Sequence, residues 1–402
     1  MSKYIDLLRA HRKEEEKQKP ATSGEAPQAD QGMSDLEGML QDEQPGSTTA
    51  AGAPAPQNQL PDEAEAIAED YTSPAASAPN SKGNAETGEI AAWLTTCTQH
   101  ILSLFNAAAS DTSFDIGVLE KHIGQLTDRL QDKPEAMNEL ELEIANRTKN
   151  IRAIDAVNGD LVQKAVMMML YAIKTGLQLN IAAAELKLLT LAAMLHHIGM
   201  AQIPADIRQK KEQLNKEERE LIRQASKKAH DYLHRCGIST PQILLAAEQT
   251  QERYDGSGPK GLSGTDIAYS ARIVGLLSMF ESLIHYRPYR ERLLPRDAIR
   301  ELVNHHKAAF DPVILKALIE SISLYPVGTY VQLNSGDVGQ VIHVHTRLPL
   351  RPRVLLNLDR HGNPMTPRKV DLRTQPNLMV QRCMYEEGLA SLKQAEQAQP
   401  AT

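Results

Sequence analysis

From Pro134 to Leu324, apolar residues return every three or four positions with few breaks. This period constrains the chain more than any other feature. A spacing near 3.6 gathers those side chains on one face of a helix, and such a face needs a partner surface. The segments that carry it are 135–149, 159–178, 183–199, 215–235, 240–253, 266–286, 295–307 and 311–323. Asn215 stands before Glu217-Glu218, and Thr240-Pro241 and Asp311-Pro312 pair a capping residue with a proline in the first turn. Residues 134–324 are therefore expected to form an all-α bundle, long enough to bury a full core.

At Tyr325-Pro326 the period changes to two. Val331/Leu333, Val338/Val341, Val354/Leu356/Leu358 and Val370/Leu372 read as short strands. Asn334-Ser335-Gly336-Asp337 and His361-Gly362-Asn363-Pro364 supply turns between them. The expectation is a small C-terminal β module over 325–385, then a tail over 386–402. Upstream, residues 89–133 hold two amphipathic helices. Ile90, Trp93, Leu94, Cys97, Ile101, Leu104 and Phe105 stripe the first; Leu119, Ile123, Leu126 and Leu130 stripe the second. They read as a cap on the bundle or a dimerising element.

Residues 20–88 differ in kind. They are rich in Pro, Ala, Ser and acids, and Lys82 is their only basic residue. Low hydrophobicity with like charge cannot offset the entropy of ordering, so a disordered acidic linker is expected. Residues 1–19 read as a short terminal helix that frays or docks on a partner. The fold class is thus mostly α: a helical bundle with a small β module and a disordered N-terminal tether.

A net charge of -7 argues against a general nucleic-acid binder. Cys97, Cys236 and Cys383 are far apart and form no CxxC, which fits a reducing compartment. No secretory signal is visible, and the most apolar runs are too short to span a bilayer. A cytoplasmic protein without membrane insertion is expected.

Four ordered stretches resemble the HD-GYP family of bacterial signalling phosphodiesterases, within the HD-domain superfamily. They are 195-LHHIGMAQIPADI-207, 214-LNKEERELIRQASKKAHDYL-233, 252-ERYDGSGPKGLSG-264 and 272-RIVGLLSMFESLIHYRPYR-290. The β module beginning at Tyr325 also looks like the segment that often follows such domains. The resemblance covers about 150 to 385. It implies a phosphohydrolase-like helical bundle whose active members hydrolyse cyclic di-GMP. Their chemistry uses two or three metal ions, typically iron or manganese, held by imidazoles and carboxylates. Bridging metals clamp the phosphodiester and turn a bound water into the nucleophile.

This chain departs from that pattern repeatedly. The family's His-Asp pair stands here as His196-His197, and a neutral imidazole offers one lone pair where a carboxylate offers two oxygens. The lysine expected nearby is Met200, and the next histidine aligns with Ala225. The pair expected before Glu252 aligns with Thr250-Gln251, the later aspartate with Ser278, and the upstream helix histidine with Leu161. One ligand, His196, survives. No intact catalytic set or metal site is expected, and His196 and His197 are its remnants. The GYP-like loop, Asp255-Gly256-Ser257-Gly258-Pro259, lacks the tyrosine. Arg287 and Arg290 of the RPYR stretch are the candidate nucleotide-binding residues, since a guanidinium can pair two phosphate oxygens.

The expected function is a degenerate, non-catalytic signalling adaptor with protein partners in cyclic di-GMP-related regulation, requiring no cofactor. One alternative is a cyclic di-GMP receptor that binds without hydrolysis. The other is a metal-dependent phosphodiesterase with substitute ligands, which would need iron or manganese. Two further histidine groups stand outside these motifs. His230 and His234 lie four apart on a helix and read as a solvated face, and His343, His345 and His361 read as an exposed β face.

Overall fold

The computed structural model describes residues 84–384, except 135, 211, 286–291, 346–347 and 361. All of these fall in one compact unit, 58–402. The expectations for residues 1–19, most of the 20–88 linker and the tail over 386–402 lie outside the described residues. So do Arg287, Arg290 and His361.

Among the described residues, twelve α-helices precede the sheet: α1 Asn84–Ala109, α2 Gly117–Asp132, α3 Ala136–Ala153, α4 Gly159–Gln178, α5 Ala183–Leu195, α6 Ala205–Arg208, α7 Lys216–Arg223, α8 Ala225–Arg235, α9 Pro241–Gln249, α10 Tyr269–Ile284, α11 Pro295–His305 and α12 Pro312–Ser321. A 3-10 turn, Ile198–Gln202, joins α5 to α6. Helix α4 lies at the centre, with Val162, Met168, Met169, Ala172 and Ile173 essentially inaccessible. α5, α10 and α12 pack around it. Met168 and Met169 are core filling, as their apolar surroundings suggested, whereas Met167 lines a cavity.

Three of the boundaries that differ from the sequence reading bear on the packing. The first described helix begins at Asn84 rather than Glu89, and Ala85 and Glu86 are good helix formers. The segment 215–235 is two helices rather than one, broken at Gln224. Helix α7 buries none of its residues, while α8 buries Ala225, Ala229, Tyr232 and Leu233, so the break lets α8 tilt onto the core. The segment 183–199 stops as an α-helix at Leu195, with His196 as its C-cap.

Two caps follow the sequence. Asn215 and Glu218 form a reciprocal capping box, and Asp311 accepts from the amides of Val313 and Ile314 at the start of α12. Thr240 makes no side-chain cap, and α9 begins on Pro241 alone.

The β module is a five-stranded antiparallel sheet in the order β4-β3-β2-β1-β5. Its strands are β1 Tyr330–Leu333, β2 Val338–His345, β3 Leu348–Leu358, β4 Pro364–Asp371 and β5 Val380–Met384. Val331, Leu333, Val341, Val354, Leu356, Val370 and Leu372 form its core, which are period-two positions read from the sequence. Strand β5 was not foreseen. It returns to pair with β1 at the edge of the sheet.

No helix among the described residues is long and apolar enough to cross a membrane.

Candidate functional site

The His196-His197 pair sits where α5 ends and the 3-10 turn begins. Glycine at 199 fixes that turn. A Cβ there would collide with the Ala225 carbonyl oxygen and the Ala229 amide, so only glycine lets α8 come this close. Ala225 therefore holds backbone against backbone, in the place where the family resemblance calls for a histidine.

Both imidazoles are buried, with His196 at 5% and His197 at 6% exposure. The Nδ1 of His196 lies 2.7 Å from the Ala193 carbonyl oxygen. A carbonyl only accepts, so Nδ1 carries the proton and Nε2 keeps the lone pair. That lone pair faces the Ser278 hydroxyl of α10 at 3.2 Å, and the hydroxyl donates to it. The Nζ of Lys164 on α4 donates in turn to the Ser278 oxygen at 3.3 Å. The result is a directed chain, Lys164 to Ser278 to His196 to Ala193. Burial and the Lys164 charge push His196 down to about 3, so its ring is neutral at ordinary pH.

The Nε2 of His197 donates to the Leu161 carbonyl oxygen at 3.1 Å. Its ring packs against Phe105 of α1, with centroids 5.2 Å apart, and against His196 at 4.7 Å. Helix α1 thus caps the histidine pair. Leu161 contributes its carbonyl, whereas the α4 side chain that reaches the site is Lys164, one turn further along.

These donors do not fit the metal ions that the resemblance implies. The one surviving ligand spends its lone pair on Ser278. Its neighbours are a second imidazole that donates to a carbonyl, a serine and an ammonium group, where hard or borderline cations require several fixed anionic or imidazole ligands. Among the described residues, no three His, Cys, Asp or Glu side chains converge as a metal cage.

The GYP-like loop is a structural turn. Asp255 accepts from the Ser257 amide at 2.9 Å and from its hydroxyl at 2.7 Å, and those bonds lower its pKa. Gly256 takes φ +83°. The loop wraps the buried Glu252 carboxylate, which accepts from the amides of Lys260 at 3.0 Å and Leu262 at 3.2 Å. Gly258 lies flush against the Glu252 backbone, and Pro259 is exposed at the rim. Thr250, buried below, donates its hydroxyl to the Ala246 carbonyl.

Sequence reasoning missed Lys164, Phe105 and Glu281. The Glu281 carboxylate is 1% exposed; it lies 3.8 Å from Lys164 Nζ and 2.9 Å from His285 Nδ1. It also borders a cavity of about 680 Å³ between the bundle and the sheet, whose lining includes Arg152, Lys174, Tyr171 and Arg292. The remaining histidines lie elsewhere. The rings of His230 and His234 stack on α8, and those of His343 and His345 share one face of β2 beside Asp371.

Residues 125–314 match the family model described as HD domain, and residues 330–392 match the KOW domain associated with HD domain. Cyclic di-GMP phosphodiesterase PA4108 of Pseudomonas aeruginosa is 31% identical over 183 residues, covering 45% of this chain and 44% of that protein. Cyclic di-GMP phosphodiesterase PdeB of Borreliella burgdorferi is 30% identical over 163 residues, covering 40% and 43%. Cyclic di-GMP phosphodiesterase response regulator RpfG of Xanthomonas campestris pv. campestris is 32% identical over 144 residues, covering 35% and 38%. The match thus spans less than half the length of each of these relatives.

Proposed function

We propose that this chain, which matches the HD domain family model over residues 125–314, is a non-catalytic relative acting as a protein-interaction adaptor in cyclic di-GMP-related signalling. One observation carries the reading: the His196 lone pair is engaged by Ser278, with the Lys164 ammonium directly behind it. Metal-assisted phosphodiester hydrolysis needs a cation at that place to activate water and to neutralise the developing charge. A fixed ammonium offers positive charge but cannot coordinate a water and turn it into hydroxide. The cyclic di-GMP setting is supported by the names of the relatives, and the adaptor role by a bundle that keeps its packing while its ligands have been replaced.

Metal content and cyclic di-GMP hydrolysis, measured on one purified sample, test the reading. The expected result is no stoichiometric transition metal and no turnover. Two bound iron or manganese ions together with cleavage of cyclic di-GMP would make the chain an active phosphodiesterase and overturn the proposal. Pull-downs with deletions of residues 1–20 or of the β module should lose a partner that the intact chain retains.

The cavity beside Glu281 favours a second reading, a receptor that binds cyclic di-GMP without cleaving it. Its size suits a nucleotide-sized ligand, and its wall carries Arg152, Lys174 and Arg292. Calorimetry decides this. Saturable binding lost in Arg287→Ala supports a receptor that also uses the RPYR stretch, and absence of binding removes the reading.

A further inference from the structure

Replaced ligands alone would leave a neutral pocket between α4 and α10. The structure instead has a charge there. Lys164 is mostly buried, at 15% side-chain exposure, and its Nζ reaches both Ser278 Oγ at 3.3 Å and Glu281 Oε2 at 3.8 Å. Glu281 is more deeply buried, and its other oxygen meets His285 Nδ1 at 2.9 Å. A carboxylate this deep is costly unless a positive charge answers it. Lys164 supplies that charge from α4, across the helix interface, and Ser278 ties it to His196.

We propose that the Lys164 ammonium is a resident cation, covalently built into the position a metal ion would hold. It joins α4 to α10 through Glu281 and Ser278, and it keeps divalent ions out by like-charge repulsion. This rests on the non-catalytic reading and goes further. The pocket is then a substituted ion pair, with its own positive charge, rather than a vacated metal site.

A double-mutant cycle tests it on the full-length chain. Lys164→Met and Glu281→Gln should each lower the urea midpoint. Together they should recover most of the loss, because the pair removes both charges at once. A merely packing role for the lysine stem gives additive losses, and a double variant no more stable than the weaker single overturns the proposal. A second arm reads metal binding directly. His197→Asp with Ser278→Asp, Lys164 retained, should show no rise in melting temperature with Mn²⁺, whereas adding Lys164→His should produce one. An equal Mn²⁺ shift with Lys164 in place overturns the exclusion. An additive cycle in a chain that purifies metal-free defeats this inference alone. Stoichiometric metal in the wild type defeats the non-catalytic reading as well.

Discussion

His196 shows how far one side chain can be moved from its ordinary chemistry. A free imidazole takes a proton near pH 6.5, but this one, buried beside Lys164, does so only near about 3. Between those values the unfolded chain binds more protons than the folded one. Stability present above pH 6.5 is therefore lost as the pH falls toward 3, by at most about 1.4 kcal/mol per pH unit. Urea midpoints should fall across this window, and His196→Gln should remove part of that slope; parallel curves for wild type and variant would contradict the assignment. Ser278→Ala tests the same chain from the other side. It leaves the His196 lone pair without the Ser278 donor and takes one acceptor from the lysine, and the expected loss is about 1–3 kcal/mol by chemical denaturation.

At the scale of elements, burial ranks two caps that look alike in the sequence. Asn215 closes α7 in solvent, and Asn215→Ala should cost about 1 kcal/mol. Asp311 caps α12 and also pairs with Arg272 of α10 at 2.7 Å, both side chains being 9% exposed. Asp311→Ala strands a buried guanidinium, so a loss of about 3–5 kcal/mol is expected, and equal thermal shifts for the two variants would refute this ranking. The difference explains what was legible. Helix spans and caps are local, and the sequence displays them directly. The Arg272–Asp311 pair joins positions 39 apart, which no periodicity reveals. Strand β5 shows no clean alternation, with only Met384 fully buried, so it was missed. Lys164 was missed for a third reason. Leu161 and Lys164 lie one turn apart on α4, and the rotation of that helix against α5 and α10 decides which side chain enters the site. Ala225 and Ser278 drew notice in the sequence because they stand within ordered motifs.

Across the whole molecule, one close contact between the β module and the bundle lies at Gly328. Gly328 takes φ +90°, donates its amide to the Val341 carbonyl at 2.8 Å, and lies against Ala145 of α3 so closely that a Cβ would strike its methyl group. Gly328→Val should pry the module away, and limited proteolysis should then cut near 325–330 faster while the helical circular dichroism is unchanged. Unaltered cleavage would show that the contact does not hold the two parts together. The Lys164 arrangement reaches beyond the molecule. An iron centre can be starved, chelated, exchanged or oxidised, and a protein built on one reports the cell's iron supply and oxygen exposure whether or not that is useful. A charge carried on a lysine side chain is fixed at translation. On the proposed reading, the shape of this bundle, and any signal relayed by that shape, would be the same in iron-poor and iron-replete cells.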